Sequence, residues 1–409
     1  MALPLEGLRV LDFSRLLPGP FCSLLLADCG ADVIKVEDTG IGDYARWAGP
    51  FHEGVEKSAG GALFLALNRN KRSIRINLKS DEGCELLLRL ARDADVVLES
   101  FRPGVLDRLG VGYEALKAEN KGIVYCAISG YGQDGPLVDR AGHDINYLAT
   151  AGLLGLTGDV DGPPVQSATQ IADIGAGSLM AAFAILAALR ERDRSGEGQM
   201  IDISMTDGAF AWAIVPAAEL LAGGKPARRG EGPLAGGLIC YRPYRCADGW
   251  VSFGALEPKF WKLWCEGTGH EELLDQQFEQ PGTEAHRKVE AVFAERTREQ
   301  WGQFGAQYDC CVEPLLEIEE ALESELAKAR GMVVGLTQPG ASKPVRAVGS
   351  PLAFSRTPVD TDRLPSPSLG EHTAELLAEA GYDEAQITAL EAIGAIGGFE
   401  ADAGGSFLS

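Results

Sequence analysis

Short strand-like segments alternate with helical ones through the first third of this chain, and that alternation constrains its fold more than any other feature. The segments at 8–13, 32–37, 73–78, 95–100 and 123–128 (LRVLDF, DVIKVE, SIRINL, DVVLES, IVYCAI) are rich in β-branched residues, while 20–28 and 81–93 space their apolar residues at the helical period. Strands that alternate with helices predict right-handed βαβ units and a parallel sheet, hence an α/β fold with a Rossmann-like large domain. No G-x-G-x-x-G follows the first strand, so the architecture is expected without a dinucleotide fingerprint.

A length of 409 residues exceeds the usual single-domain size and predicts a second, smaller lobe. We place the first part of the large domain at 1–190, a Gly-, Pro- and Arg-rich linker at 191–235, and a smaller α+β domain at 236–325. The small domain opens on a hairpin, YRPYRCADGWVSF, with D-G at its turn. A second linker, 326–345, returns the chain to the large domain at 346–409, ending in the tail GGFEADAGGSFLS, which is read as disordered. The run at 178–192 is expected to be a buried helix with a basic C-terminal end.

The formal net charge is −22, which would repel a nucleic-acid backbone or an anionic membrane face, so neither is expected as a partner. No uninterrupted apolar stretch of bilayer-crossing length is read, and the first residues carry no secretion signal. Nine dispersed cysteines without C-x-x-C spacing fit reduced thiols in a cytoplasmic setting, with no metal expected.

In so acidic a chain, basic clusters mark sites for an anionic ligand. Arg69, Lys71 and Arg72 in LNRNKRSIRINL form one cluster, and Arg102 in ESFRPGV follows a parallel-strand candidate, at the carboxyl end where open α/β sheets bind ligands. Each cluster also reads as solvated surface charge.

His143, in AGHDINYLATAGLLGL, can act as a base near neutral pH, with Asp144 or Asn146 to orient it; alternatively its local hydrogen bonds simply begin a helix. Asp173, in QIADIGAGSLMAAF, reads either as a helix N-cap or as a reactive carboxylate. Gly175 and Gly177 would in the second case let a ligand approach backbone N–H groups at the helix start. Glu257, ahead of a proline in FGALEPKFWKLW, is either favourable charge at a helix N-terminus or a polarising partner for a base.

Together these segments resemble the class III CoA-transferase family and, within it, the α-methylacyl-CoA racemases. The resemblance runs from LEGLRVLDFSRLLPGPFCSLLLADCGADVIKVE through NRNKRS, SFRPGVLDRLGVGYEAL, GYGQDGP, AGHDINY, ADIGAGS and C-V-E-P to GEHTAELLAEAGY, nearly the whole chain. It implies an interlocked homodimer whose active sites combine both subunits, and an acyl-CoA thioester substrate whose CoA is part of the substrate, with no separate cofactor. Within the family Asp173 matches an aspartate that serves transferases as nucleophile and racemases as proton carrier. His143 matches the racemases' second base, and Glu257 matches their glutamate near that histidine. The resemblance also implies CoA contacts from Lys35, Arg69, Lys71, Arg72, Arg102 and Tyr147. Asp38 stands where racemases often carry an arginine beside the adenine, with Lys35 as the neighbouring cation.

Overall fold

The computed structural model describes residues 2–397 and divides the chain into two compact units. The first unit comprises the chain up to Leu148, Thr169–Ala211 and the part from Glu325 onward; the second comprises Ala149–Ala168 and Trp212–Ser324. The predicted tail beyond Gly397 lies outside the described residues.

A six-stranded parallel sheet organises the first unit, in the order β3-β2-β1-β4-β5-β6. The strands are β1 Arg9–Asp12, β2 Asp32–Glu37, β3 Lys71–Arg75, β4 Val96–Glu99, β5 Val124–Ser129 and β6 Met200–Ser204. The first five match the predicted segments to within a few residues. They are buried almost throughout, as parallel strands covered on both faces must be. Leu11, Ile34, Ile74, Val97 and Ala127 share one core with Leu86, Leu87 and Leu90 of the Asp81–Ala91 helix. That helix is amphipathic and is capped by Ser80, whose hydroxyl accepts from the Gly83 N–H. Leu376 and Leu377 of the Thr373–Glu379 helix enter the same core, so the late GEHTAELL segment packs with the first unit.

The segment 191–235 is not simply a linker, because β6 lies within it and pairs with β5 from Tyr125↔Met200 to Ser129↔Ser204. As an edge strand it leaves Met200 40% exposed and alternates in burial, so MIDIS carries no continuous apolar signal. The segment 326–345 likewise contains Val333–Leu336 and the start of Val345–Val348, which pair as an antiparallel ribbon.

The helix expected at 178–192 begins earlier, as a wide π-type segment over Ile171–Leu179 continuous with an α-helix over Met180–Ser195. Two expectations are corrected here. The joined helix Ile171–Ser195 is long and apolar enough by composition to cross a membrane, although half of its most apolar window is buried. It is also not buried all round, since Met180, Phe183 and Leu186 are exposed, Phe183 by 73%.

In the second unit β7 Tyr241–Cys246 and β8 Gly249–Gly254 form the predicted hairpin, closing at Cys246↔Gly249, and β9 Val312–Pro314 adds to β8. Its core is aromatic: Phe253, Trp261, Trp264, Phe293 and Trp301 interlock, with Trp261 and Trp264 stacked at 5.4 Å.

Candidate active site

The strand order reverses between β1 and β4, and ligands of open α/β sheets bind beyond the carboxyl ends of the strands at such a point. Side chains from three strand ends meet there. Arg15 follows β1, pairs with Asp38 after β2 at 2.6 Å, and lies over the Phe101 ring, 5.6 Å from its centre, in the loop after β4. Arg102, next in that loop, is exposed and has no side-chain partner among the described residues. The position of Asp38 is therefore served by a cation from another strand, Arg15, which local sequence does not reveal.

The other expected cations lie inside the unit. Lys35 is fully buried between Asp43 (2.9 Å) and the Ser14 carbonyl (2.9 Å). Lys71 is fully buried against Ser23 Oγ (2.7 Å), Asn68 Oδ1 (2.9 Å) and Asp12. Arg69 pairs with Asp28 at 2.7 Å, and Arg72 spans Asp32 (2.6 Å), Glu375 (2.8 Å) and Glu379 (2.5 Å). These four are structural cations, not contacts for a ligand phosphate. The cause is tertiary: the returning segment covers β3, with Asn70 N–H donating to the Leu364 carbonyl and His372 N–H to that of Ser73, so the strand's charges are compensated internally.

His143 stands immediately before the Asp144–Thr150 helix. Its N–H donates to Asn146 Oδ1 (3.0 Å) and its carbonyl accepts from the Asn146 N–H (2.8 Å), a reciprocal closure of the helix start. The backbone is thus fixed while the imidazole is exposed. Asn146 supports His143 through its main chain, and Asp144 does not contact it by any hydrogen bond in the structure. Instead Asp144, 8% exposed, turns to the other helix start, where its Oδ1 accepts from the N–H groups of Ala172 (2.6 Å) and Asp173 (3.0 Å). The expected orientation of His143 by Asp144 is replaced by a tie between the two segments that carry His143 and Asp173.

Asp173 lies in the first turn of its helix, whose N-cap position is Gln170, so Asp173 is not the cap. Burial, and then the charge of Asp144, push its carboxyl up to about 7. Gly175 and Gly177 are both buried, and a Cβ on Gly177 would stand 3.0 Å from Met205 Cγ and 3.3 Å from Pro18 Cβ. Gly177 therefore permits close packing against neighbouring chain and does not open a path for a ligand. The helix-start amides beside the Asp173 carboxyl belong to Ala172 and Asp173. Ser178 Oγ anchors this helix by donating to the Pro18 carbonyl at 2.6 Å.

Tyr147 is buried, and its hydroxyl donates to the Gly142 carbonyl at 2.5 Å, holding the turn that precedes His143. Burial, followed by the charge of Asp173, raises its phenol. It supports the site from behind and is not placed as a CoA contact. Tyr131, from GYGQDGP, meets it edge-on at 5.2 Å. Glu257 belongs to the second unit, where it is exposed at the N-cap position of the Pro258–Thr268 helix without making a side-chain cap; burial, and then the charge of Glu257, raise the thiol of Cys311.

Residues 5–373 match the family model described as CoA-transferase family III. The chain belongs to CoA-transferase family III. It is 38% identical over 395 residues to the α-methylacyl-CoA racemase of Mus musculus, covering 94% of this chain and 96% of that one. It is 36% identical over 386 residues to the succinate–glutarate CoA-transferase of Agrobacterium fabrum, covering 92% and 95%. Among solved structures, a CAIB/BAIF family protein from Brucella suis superposes with a TM-score of 0.80 at 32% identity, covering 93% of this chain and all of that one. Racemases and transferases thus both stand among the relatives of this family III enzyme.

Proposed function

We propose that this family III enzyme is an α-methylacyl-CoA racemase, interconverting the (2R) and (2S) forms of a 2-methyl-branched acyl-CoA. The observation that carries the reading is the pairing of an imidazole and a neutral-range carboxyl on two helix starts tied by Asp144. A proton carrier works best with a proton affinity near the working pH, which a carboxyl at about 7 satisfies, whereas a carboxylate nucleophile needs full ionisation.

In the proposed reaction one base takes the α-proton, the C–H electron pair moves into the thioester as an enolate, and the other base in its protonated form delivers a proton to the opposite face. Asp173 and His143 exchange these roles with the direction of reaction. Arg15 and Arg102 are proposed to face the anionic CoA moiety at the switch point, and replacement of Arg102 by alanine is expected to raise KM severalfold with little change in kcat. We further propose that the enzyme works as a homodimer, a reading supported by the exposed Met180, Phe183 and Leu186 on one helix.

Incubation of either 2-methylacyl-CoA stereoisomer in deuterated water is expected to give the same mixture, with deuterium at the α-carbon. Absence of both inversion and exchange with any branched acyl-CoA would rule the reading out. The transferase reading is favoured by relatives such as the Agrobacterium protein and makes Asp173 a nucleophile. It predicts instead an Asp173 adduct trapped by hydroxylamine, and a His143→Ala variant that keeps most of its activity.

A further inference from the structure

We propose that Asp144 is a positioning residue whose carboxylate, seated on the amides at the start of the Asp173 helix, takes up the helix-end charge that would otherwise stabilise an ionised Asp173. The inference rests on the proton-transfer reading above and extends it to what governs one of the two bases.

One oxygen of Asp144 accepts both helix-start donors, from Ala172 at 2.6 Å and Asp173 at 3.0 Å. A helix N-terminus ordinarily favours negative charge, and a carboxylate in its first turn would be easier to ionise there. Here the partial positive charge is already met by Asp144, so Asp173 gains no such help and faces a like charge in a half-buried setting.

The surroundings supply no offsetting cation. No ion pair involves Asp144 or Asp173 among the described residues. Tyr147 faces Asp173, but its hydroxyl is committed to the Gly142 carbonyl, and Tyr131 meets the Tyr147 ring. Of the elements packed on this helix, Pro18–Asp28 bears its one charged residue at the far end, where Asp28 pairs with Arg69. On β5 there is no charged residue; on β6 Asp202 accepts from the Gln133 N–H; and the Met205–Trp212 helix, packed on Ala176 through Gly208, carries Asp207, whose charge acts on Asp202. The continuing helix places its first charged residue at Arg190. Among the described residues Asp144 is thus the one charged group that acts on Asp173 at close range, and its position follows from the same helix start that fixes the His143 backbone.

Substitution Asp144→Asn separates charge from geometry, because the amide oxygen can still accept both N–H groups. The carboxyl of Asp173 would be followed by infrared difference titration of the whole enzyme, its band assigned by its loss in Asp173→Asn. A downward shift of the titration midpoint by about one pH unit or more in Asp144→Asn is expected. The pH profile of α-deuterium exchange should move by the same amount. Asp144→Ser, which keeps an oxygen acceptor without charge, is carried in parallel should the Asn variant fail to fold. A midpoint in the folded variant that coincides with that of the wild type would overturn the proposal. If the infrared midpoint falls while neither enzyme exchanges the α-proton, the racemase reading fails and the role of Asp144 stands.

Discussion

Asp144 and Asp173 are both acidic residues at helix starts, and local sequence treats them alike. Their roles separate only when the hydrogen bonds are traced across 28 residues of chain. Asp144 is the acceptor that ends up on the helix amides, and Asp173 is the carboxyl left with a raised proton affinity. Glu99 shows the same physics away from His143 and Asp173. It is 4% exposed at the end of β4, accepts from the Phe101 N–H at 2.6 Å, and is pushed up from 4.5 to about 8, first by burial. An acid whose folded value is raised favours the native state fully below about pH 4.5, and that contribution is lost as pH rises toward 8. Glu99→Gln should therefore stabilise the protein at pH 8 relative to pH 5, by on the order of 2–4 kcal/mol at the alkaline end. Chemical denaturation of both proteins at the two pH values checks this, and equal differences at both would refute it. The identities of His143, Asp173 and Glu257 as candidates were legible in the sequence. The internal pairing of Lys35, Arg69, Lys71 and Arg72 was not, because their partners Asp43, Asp28, Asp12, Asp32, Glu375 and Glu379 are gathered by tertiary folding.

Five strands declare themselves through β-branched runs because both faces of a parallel sheet are covered. The sixth, β6, escapes the same reasoning because it forms the sheet edge and alternates in burial. The Asp173 helix illustrates a different limit: its apolar character is plain, but the wide π-type turns at its start are not encoded in any simple period. Such turns concentrate at functional sites, and here they carry Asp173, the proposed proton carrier. Packing at this point is close, so Gly177→Val should force Met205 and Pro18 apart. A loss of about 1–3 kcal/mol in stability is expected from denaturant unfolding. A larger proportional loss in kcat than for an equally destabilising change in the Trp261–Trp264 cluster would show that this helix start positions Asp173.

At the scale of the whole molecule, the strand order places a ligand site beyond the strand ends that carry Arg15 and Arg102, and it is there that the proposed acyl-CoA would lie. The exposed apolar stripe on Met180–Ser195 bears on assembly. Phe183→Asp should lower the mass measured by light scattering from dimer to monomer, with activity falling in parallel. A monomeric wild-type enzyme of full activity would refute the homodimer.

In the proposed reaction two residues on two helix starts divide one proton transfer. The most direct test follows each 2-methylacyl-CoA stereoisomer in deuterated water with His143→Ala and with Asp173→Asn. Each variant should lose inversion by about 100-fold or more, while retaining α-deuterium exchange for only one stereoisomer, opposite in the two variants. Inversion near the wild-type rate in His143→Ala would contradict the account.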